Sequence, residues 1–376
     1  MSRVEVRGVS KWFGRICAVY ELDFYCEDGE FLVILGPSGA GKSTTLKLIA
    51  GIEGCDTGSI RIGGIDVTKL PPHKRDVAMV FEDYSLYPHF TVRENLAFPL
   101  RAPGRHIPVS EIDDRIRCVG ELLRIGHLMN RYPRELSQGQ RQRVSLGRAL
   151  VRQPQVFLFD EPISHLDAKL RHSMRRELKR LKAELRQTVI YVTHDYLEAV
   201  SLADRVIVLK EGEIQQVGRP DEIYRAPKNA FVASLFGTVP MMFFEGRIIP
   251  NYGGRPRFII QGAVGGSSAN RVLQCTLPPK YSSLGERRLI LGLRPSEISL
   301  EVVGEGCDDN LEGHVYAIQD LFTTKLVTVD LGNVMVEVMV PSPTEIARGQ
   351  RVAITIPDEH FYLFDPDTRN TIPLSA

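Results

Sequence analysis

The chain has 376 residues, a quarter of them charged, with 47 Lys and Arg against 46 Asp and Glu for a net charge of +1. That length exceeds one average domain and fits two, and the charge balance supplies no global field toward nucleic acid or anionic lipid. No stretch approaches the roughly 18 to 20 apolar residues that span a bilayer, and residues 1–7 lack the apolar core of a secretion signal, so a cytosolic chain is expected. The six cysteines (Cys17, Cys26, Cys55, Cys118, Cys275 and Cys307) have no C-x-x-C spacing, and are expected to be reduced packing residues.

Residues 1–236 alternate short apolar strands with helical stretches, which predicts an α/β domain with a mostly parallel sheet. Phe31 to Leu35 reads as a strand buried on both faces. It runs into Gly36-Pro-Ser38-Gly39-Ala-Gly41-Lys42-Ser43 and then a helix from Thr44 to Ala50, the strand–loop–helix context a phosphate loop requires. Glycines there let backbone N–H groups approach phosphates, Lys42 reaches the terminal phosphates, and Ser43 offers a hydroxyl to Mg²⁺. Next comes a strand, Val77 to Phe81, followed by Glu82. Residues 102–135 carry helical patterning, a helical insertion in the first domain that extends over about residues 88–150.

The apolar run Val156 to Phe159 ends in Asp160-Glu161. A carboxylate at that strand end can hold Mg²⁺ through water, and a neighbouring glutamate can orient and deprotonate an attacking water. Such a pair alone is more often a helix N-cap; the phosphate loop upstream makes it specific. Leu170, Met174, Leu178, Leu181 and Leu185 recur at helical spacing and predict an amphipathic crossover helix whose stripe is core packing. Thr188 to Thr193 and Val206 to Leu209 continue the strand series. His194 follows the former, at the carboxyl edge of the sheet where nucleotides bind in open α/β folds.

From about residue 237 the pattern changes to short alternating runs, with Lys325–Leu331 and Val334–Val340 forming a hairpin on Gly332-Asn333. Residues 237–376 are expected to be a small antiparallel β-barrel or pair of barrels.

The order of these parts, with Leu136-Ser137-Gln138-Gly139-Gln140 leading into Arg141–Leu150 and with Ser164-His165-Leu166-Asp167 downstream, resembles the ATP-binding subunits of ABC transporters. The β-rich end, through Gly292-Leu-Arg-Pro-Ser-Glu-Ile298, is similar to the C-terminal, OB-like domain of carbohydrate-importer ATPases, including those of maltose and glycerol-phosphate importers. That resemblance implies a site shared between two subunits. Gly36, Ser38, Gly39, Gly41, Lys42, Ser43 and Thr44 would hold ATP, with Phe13 stacking on adenine; Trp12 is a rival for that role, and an ordinary core aromatic is the other reading. Ser137, Gly139 and Gln140 would act on ATP held by the opposite subunit. Asp167 would lie at the dimer seam, Ser43, Glu82 and Asp160 would serve Mg²⁺, and Glu161 with His194 would drive hydrolysis.

Two positions depart from the family's pattern. Glu82 stands where the family has glutamine; it keeps a metal ligand but adds negative charge beside the triphosphate and loses a donor. Gln138 replaces the commoner glycine, with Ser137 and Gly139 left to make the phosphate contacts. Tyr84 to Val92, running on to Leu96, matches the surface that receives a coupling helix from each membrane subunit, although internal packing accounts for the same aromatics.

The function so implied is that of the ATPase subunit of an importer for a carbohydrate or related polar solute. It would sit peripherally on the cytoplasmic face of the membrane, with a second ATP-binding subunit (a copy or a related chain), two separate permease subunits, an extracytoplasmic solute-binding protein and no nucleic acid. A soluble ABC ATPase of translation or repair, and a catalytically weak partner in a mixed pair, are the alternatives. The first fits poorly with one cassette and no long heptad run. The second fits poorly with the retained Lys42, Asp160, Glu161 and His194.

Overall fold

The computed structural model describes residues 2–102, 106–185, 187–250, 255–261, 274–302, 311–332 and 334–373. It divides into two compact units, Met1–Glu222 and Ile223–Ala376.

Among the described residues the first unit contains two sheets. The strands β1 (Val4–Phe13), β2 (Ile16–Cys26), β4 (Thr57–Ile62) and β5 (Ile65–Asp66) form an antiparallel sheet in the order β2-β1-β4-β5. The second sheet is built from β3 (Phe31–Leu35), β6 (Val77–Val80), β7 (Val156–Asp160), β8 (Thr188–Thr193), β9 (Arg205–Lys210) and β10 (Glu213–Gly218), in the order β10-β9-β3-β8-β7-β6. All its neighbours pair in parallel except β9 and β10. Every residue of β3, β7 and β8 is buried, as expected for parallel strands covered on both faces.

Helix α1 (Lys42–Ala50) packs between the sheets, its residues Leu46, Leu48 and Ile49 joining a core of Val4, Val6, Ile60, Leu158, Ile190 and Ile207. Buried Arg75 donates to the carbonyls of Leu48 and Ile49, satisfying orphan acceptors at the end of that helix. The helical stretch holds α2 (Val92–Ala97), α3 (Val109–Leu122) and α4 (Gln138–Leu150). The crossover is α5 (Ala168–Leu185), where Met174, Leu178 and Leu181 are buried, and the side chain of Leu185 lies outside the described residues. Then α6 (Tyr196–Leu202) leads into β9.

The division between units falls 14 residues earlier than the expected boundary at 236, within α7 (Pro220–Arg225), so that α8 (Ala230–Leu235) belongs to the second unit. Within the second unit Arg294, 1% exposed, donates from its guanidinium to the carbonyls of Tyr224, Ala233 and Phe236 and lies 4.0 Å from the centre of the Tyr224 ring. A residue in the Gly292–Ile298 run thereby ties the 224–236 segment down.

The second unit's strands are β11 (Met242–Ile249), β12 (Arg257–Ile260), β13 (Gln274–Thr276), β14 (Arg287–Leu293), β15 (Ser299–Val302), β16 (Leu311–Asp320), β17 (Thr324–Asp330), β18 (Met335–Pro341), β19 (Arg351–Thr355) and β20 (Tyr362–Phe364). They form two five-stranded antiparallel sheets, β13-β12-β11-β14-β20 and β15-β19-β16-β17-β18, over one core that includes Phe258, Leu291, Val327, Val338 and Ile354. The expected hairpin is β17–β18, with Lys325 opposite Val340; Gly332 has φ 102° in its turn, and Asn333 lies outside the described residues.

Among the cysteines, Cys26 and Cys275 are buried and Cys55 is half-buried, as packing residues should be, whereas Cys17 and Cys118 are exposed and Cys307 lies outside the described residues. The five described cysteines are free thiols.

Candidate active site

Three buried strands end on one line. In register, Leu35 of β3 lies beside Thr193 of β8, and Asp160 of β7 beside Val192, so Gly36, Glu161 and His194 leave the sheet next to one another at its carboxyl edge. This edge is where an open parallel sheet presents helix N-termini and loop amides to a ligand. Gly36 N–H donates to Thr193 O at 3.4 Å, tying the first residue of the phosphate loop to the strand before His194.

Ser38 and Gly39 form the exposed tip of the loop. Gly41 caps α1 at φ 97°, a left-handed conformation that favours glycine, and a Cβ there would collide with the carbonyl oxygen of Ala18. Lys42 and Ser43 open the helix, and Thr44 follows in its first turn, half-buried.

Side chains from the three strand ends then meet. Ser43 Oγ donates to Asp160 Oδ1 at 2.7 Å. Lys42 Nζ donates to Pro37 O at 3.0 Å and lies 3.2 Å from Glu161 Oε1. The other oxygen of the same carboxylate, Glu161 Oε2, is 2.7 Å from His194 Nδ1. Glu161 is therefore gripped from both sides, by an ammonium and an imidazole. Its backbone is also committed: φ is 42°, a left-handed conformation costly for a residue with a side chain. The backbone is held there by a hydrogen bond from Glu161 N to Val192 O and by Ser164 Oγ donating to Glu161 O. Burial pushes the Asp160 carboxyl above its ordinary range, the Ser43 hydrogen bond opposes this, and the negative charges of Glu161 and Glu82 push it further up. The positive charge of Lys47 opposes this rise, more weakly than the causes that produce it.

Among the described residues no three His, Cys, Asp or Glu side chains form a group able to hold a metal by themselves. Mg²⁺ in phosphoryl-transfer sites does not need such a cage, because one or two protein oxygens suffice where phosphates and water complete the shell. The Ser43 hydroxyl and the desolvated Asp160 carboxylate, 2.7 Å apart and crowded by like charge, fit that requirement. Glu82 is placed differently from Ser43 and Asp160. Its charge is felt at Asp160, yet its Oε1 lies 3.1 Å from His165 Nε2. Nothing in the sequence marked His165, since a histidine two residues before Asp167 has no motif of its own.

Ser137 is the N-cap of α4, its Oγ accepting from Gln140 N–H at 3.4 Å while Gln140 Oε1 accepts from Ser137 N–H at 3.0 Å. This reciprocal box fixes the helix start and leaves Gln138 and Gly139 in the first turn. Gly139 is buried where the Leu170 side chain leaves no room for a Cβ. Asp167 Oδ1 accepts from Leu170 N–H at 2.9 Å, a cap at the start of α5. A second link missed by the sequence reading joins Glu82's loop to α4. Ser145 Oγ and the Arg148 guanidinium donate to the carbonyl of Tyr84, and Arg148 also to that of Ser85. Both carbonyls are presented by residues with positive φ, 63° and 42°.

Phe13 is 45% exposed and Trp12 37% exposed, so neither is a core aromatic. Both lie at the end of β1, where Lys11 Nζ stands 5.4 Å from the Phe13 ring centre and Trp12 meets Tyr20 edge-on. In the 84–92 segment, Tyr87 packs on Phe90 and on Phe98 and receives Arg148 on its ring, while Phe98 remains 45% exposed.

This layout has the form of a phosphate-loop nucleotide site: a glycine-rich loop and a lysine at a helix N-terminus, with a carboxylate in contact with that lysine. A profile described as ABC transporter matches residues 19–164. Over nearly the full length of both proteins, the chain is 41% identical to the sulfoquinovosyl glycerol transport ATP-binding protein SmoE of Agrobacterium fabrum, covering 99% of this chain and 100% of that one. It is 42% identical to the trehalose/maltose import ATP-binding protein MalK of Thermococcus litoralis, with the same shares covered. Among solved structures it is similar to the dimeric MJ0796, a bacterial ABC transporter cassette, at 31% identity and TM-score 0.53, covering 58% of this chain and 98% of that one. The chain belongs to the ABC transporter family, as one of its ATP-binding, ATP-hydrolysing subunits. Among the described residues no helix is long and apolar enough to cross a membrane.

Proposed function

We propose that this chain drives uptake of a carbohydrate, polyol or glycerol-phosphate-type solute by hydrolysing ATP at a site it shares with a second ATP-binding subunit. The single observation that carries the catalytic part is the Lys42–Glu161–His194 chain of contacts, 3.2 and 2.7 Å long, at the end of the phosphate loop. ATP entering this loop offers Lys42 a phosphate in place of Glu161. The freed carboxylate is then available as general base for an attacking water, with His194 orienting it and contacting the γ-phosphate. Phe13 stacks on adenine, and Gly36 to Thr44 cradle the phosphates.

Ser43 and Asp160 would hold Mg²⁺, with Glu82 as a further ligand; bound there, it neutralises charge developing on the phosphates. Ser137, Gly139 and Gln140 serve ATP on the opposite subunit, with the α4 N-terminus directed at that anion. Asp167 lies at the seam. The partners are two separate membrane permeases, which the Tyr84–Leu96 segment receives, and an extracytoplasmic binding protein that delivers solute. The chain works on the cytoplasmic face. The solute class rests on relatives over the full length, among them the sn-glycerol-3-phosphate import ATP-binding protein UgpC of Rhodopseudomonas palustris at 41% identity.

Purifying the tagged chain from its own cells in mild detergent tests this reading. It expects two membrane-spanning proteins in the complex and ATP-dependent uptake of a sugar or polyol once the complex is in liposomes. Recovery with ribosomes or DNA repair proteins would overturn it.

A further inference from the structure

The Glu82–His165 contact is not needed by any step above, and it joins the loop after β6 to the loop ahead of α5. Glu82 follows β6, and His165 lies between Ser164 and Asp167 ahead of α5. Their side chains are 48% and 53% exposed and meet at 3.1 Å through Glu82 Oε1 and His165 Nε2. The imidazole can supply an Nε2–H donor whether neutral or protonated, so the contact does not depend on its charge. The charge of Glu82 is also felt at Asp160, which is desolvated and already faces the charge of Glu161, so a second carboxylate is repelled there. Attraction from His165 and repulsion from Asp160 both act to draw the Glu82 carboxylate toward His165.

We infer that His165 is a positioning residue for Glu82, holding its carboxylate away from the Ser43–Asp160 pair until metal and nucleotide arrive. This rests on the reading of Glu82 as a metal ligand given above. A metal ion that draws Glu82 toward the Ser43–Asp160 pair would do so against the Oε1 contact with His165, which costs part of the metal's binding energy.

An exposed pair of this kind is weak, so its removal should change metal affinity by only about two- to fivefold. The full-length chain, saturated with a non-hydrolysable ATP analogue, is titrated with Mn²⁺ and the bound ion is followed by electron paramagnetic resonance. Metal-free affinity for the analogue reports on an intact fold. H165A should bind Mn²⁺ about two- to fivefold tighter than the parent. H165Q, whose amide places a donor at similar reach, should stay at the parental value. H165A should have no effect when added to E82A. If E82A alone weakens Mn²⁺ binding but H165A does nothing, the positioning role of His165 is wrong and the ligand reading of Glu82 stands. If H165A tightens binding equally in the E82A background, the effect does not pass through Glu82 and the inference is overturned. If E82A leaves Mn²⁺ affinity unchanged, Glu82 is not a ligand and both fall.

Discussion

Lys42 and Glu161 hold each other in this structure, Nζ 3.2 Å from Oε1, with the lysine side chain 5% exposed and the glutamate 14%. The cation expected to meet the terminal phosphates is thus neutralised by the carboxylate expected to activate water. Neither group is left as an uncompensated buried charge, and on the proposed function ATP competes with Glu161 for Lys42.

Replacing Glu161 with Gln removes the base and also weakens the competitor for Lys42. ATP affinity should rise while hydrolysis falls by about 10²- to 10⁴-fold, the range general-base catalysis supplies. Equilibrium binding of a fluorescent ATP analogue and steady-state phosphate release measure the two effects. A loss of hydrolysis with unchanged or weaker ATP binding would argue against the competition.

Gly41→Ala places a Cβ at φ 97° against the carbonyl of Ala18. Strain of this kind costs on the order of 1–3 kcal/mol and displaces the loop amides. The variant should unfold at lower urea and bind ATP at least tenfold more weakly. Gly54→Ala is the control: a Cβ there meets nothing within 4 Å, and neither quantity should move appreciably.

Much of this arrangement could be read before any coordinates. The buried strands Phe31–Leu35, Val156–Asp160 and Thr188–Thr193 are apolar without interruption, so their ends, and with them Gly36, Glu161 and His194, could be placed by pattern alone. Which atoms pair could not, because Lys42 and Glu161 are brought together by strand order, and strand order is set by distant residues. The same holds for Arg294, whose buried guanidinium ties down the chain from Tyr224 to Phe236 through contacts that no local pattern announces. His165 shows a third limit: its significance lies wholly in where Glu82 turns.

Arg294→Met leaves three carbonyls, of Tyr224, Ala233 and Phe236, without their donor inside the second unit. A cost of about 3 kcal/mol or more is expected, and Arg294→Lys should recover little of it, since a single ammonium cannot reproduce the planar fork or its stacking on Tyr224. Chemical denaturation followed by near-UV circular dichroism would measure this. The account expects ATP affinity of the first unit to be retained.

Glu198 of α6 is 2% exposed and accepts from Tyr191 Oη at 2.8 Å. Burial raises its carboxyl above the ordinary range, opposed by hydrogen bonds from Thr193 and Tyr191 and assisted by the charge of Asp195. The folded state therefore takes up the proton more readily than the unfolded one. Its contribution to stability is fully present below the unfolded-state pKa and is lost as pH rises through the folded-state value. Glu198→Gln, which keeps an acceptor for Tyr191, should be more stable than the parent at pH 8. That advantage should shrink as pH is lowered toward 4, as read from urea midpoints. An advantage constant across that range would contradict the assignment.

The central claim is that Ser137 and Gly139 complete the site of the other subunit. Mixing two inactive variants, Lys42→Ala and Gly139→Asp, in the assembled transporter tests it most directly. In a mixed pair one site carries both lesions, while the other combines an intact phosphate loop with an intact Ser137–Gln140 segment. The account predicts that the mixture recovers ATP hydrolysis that neither variant has alone. A mixture that forms mixed pairs and remains as inactive as its components would contradict it.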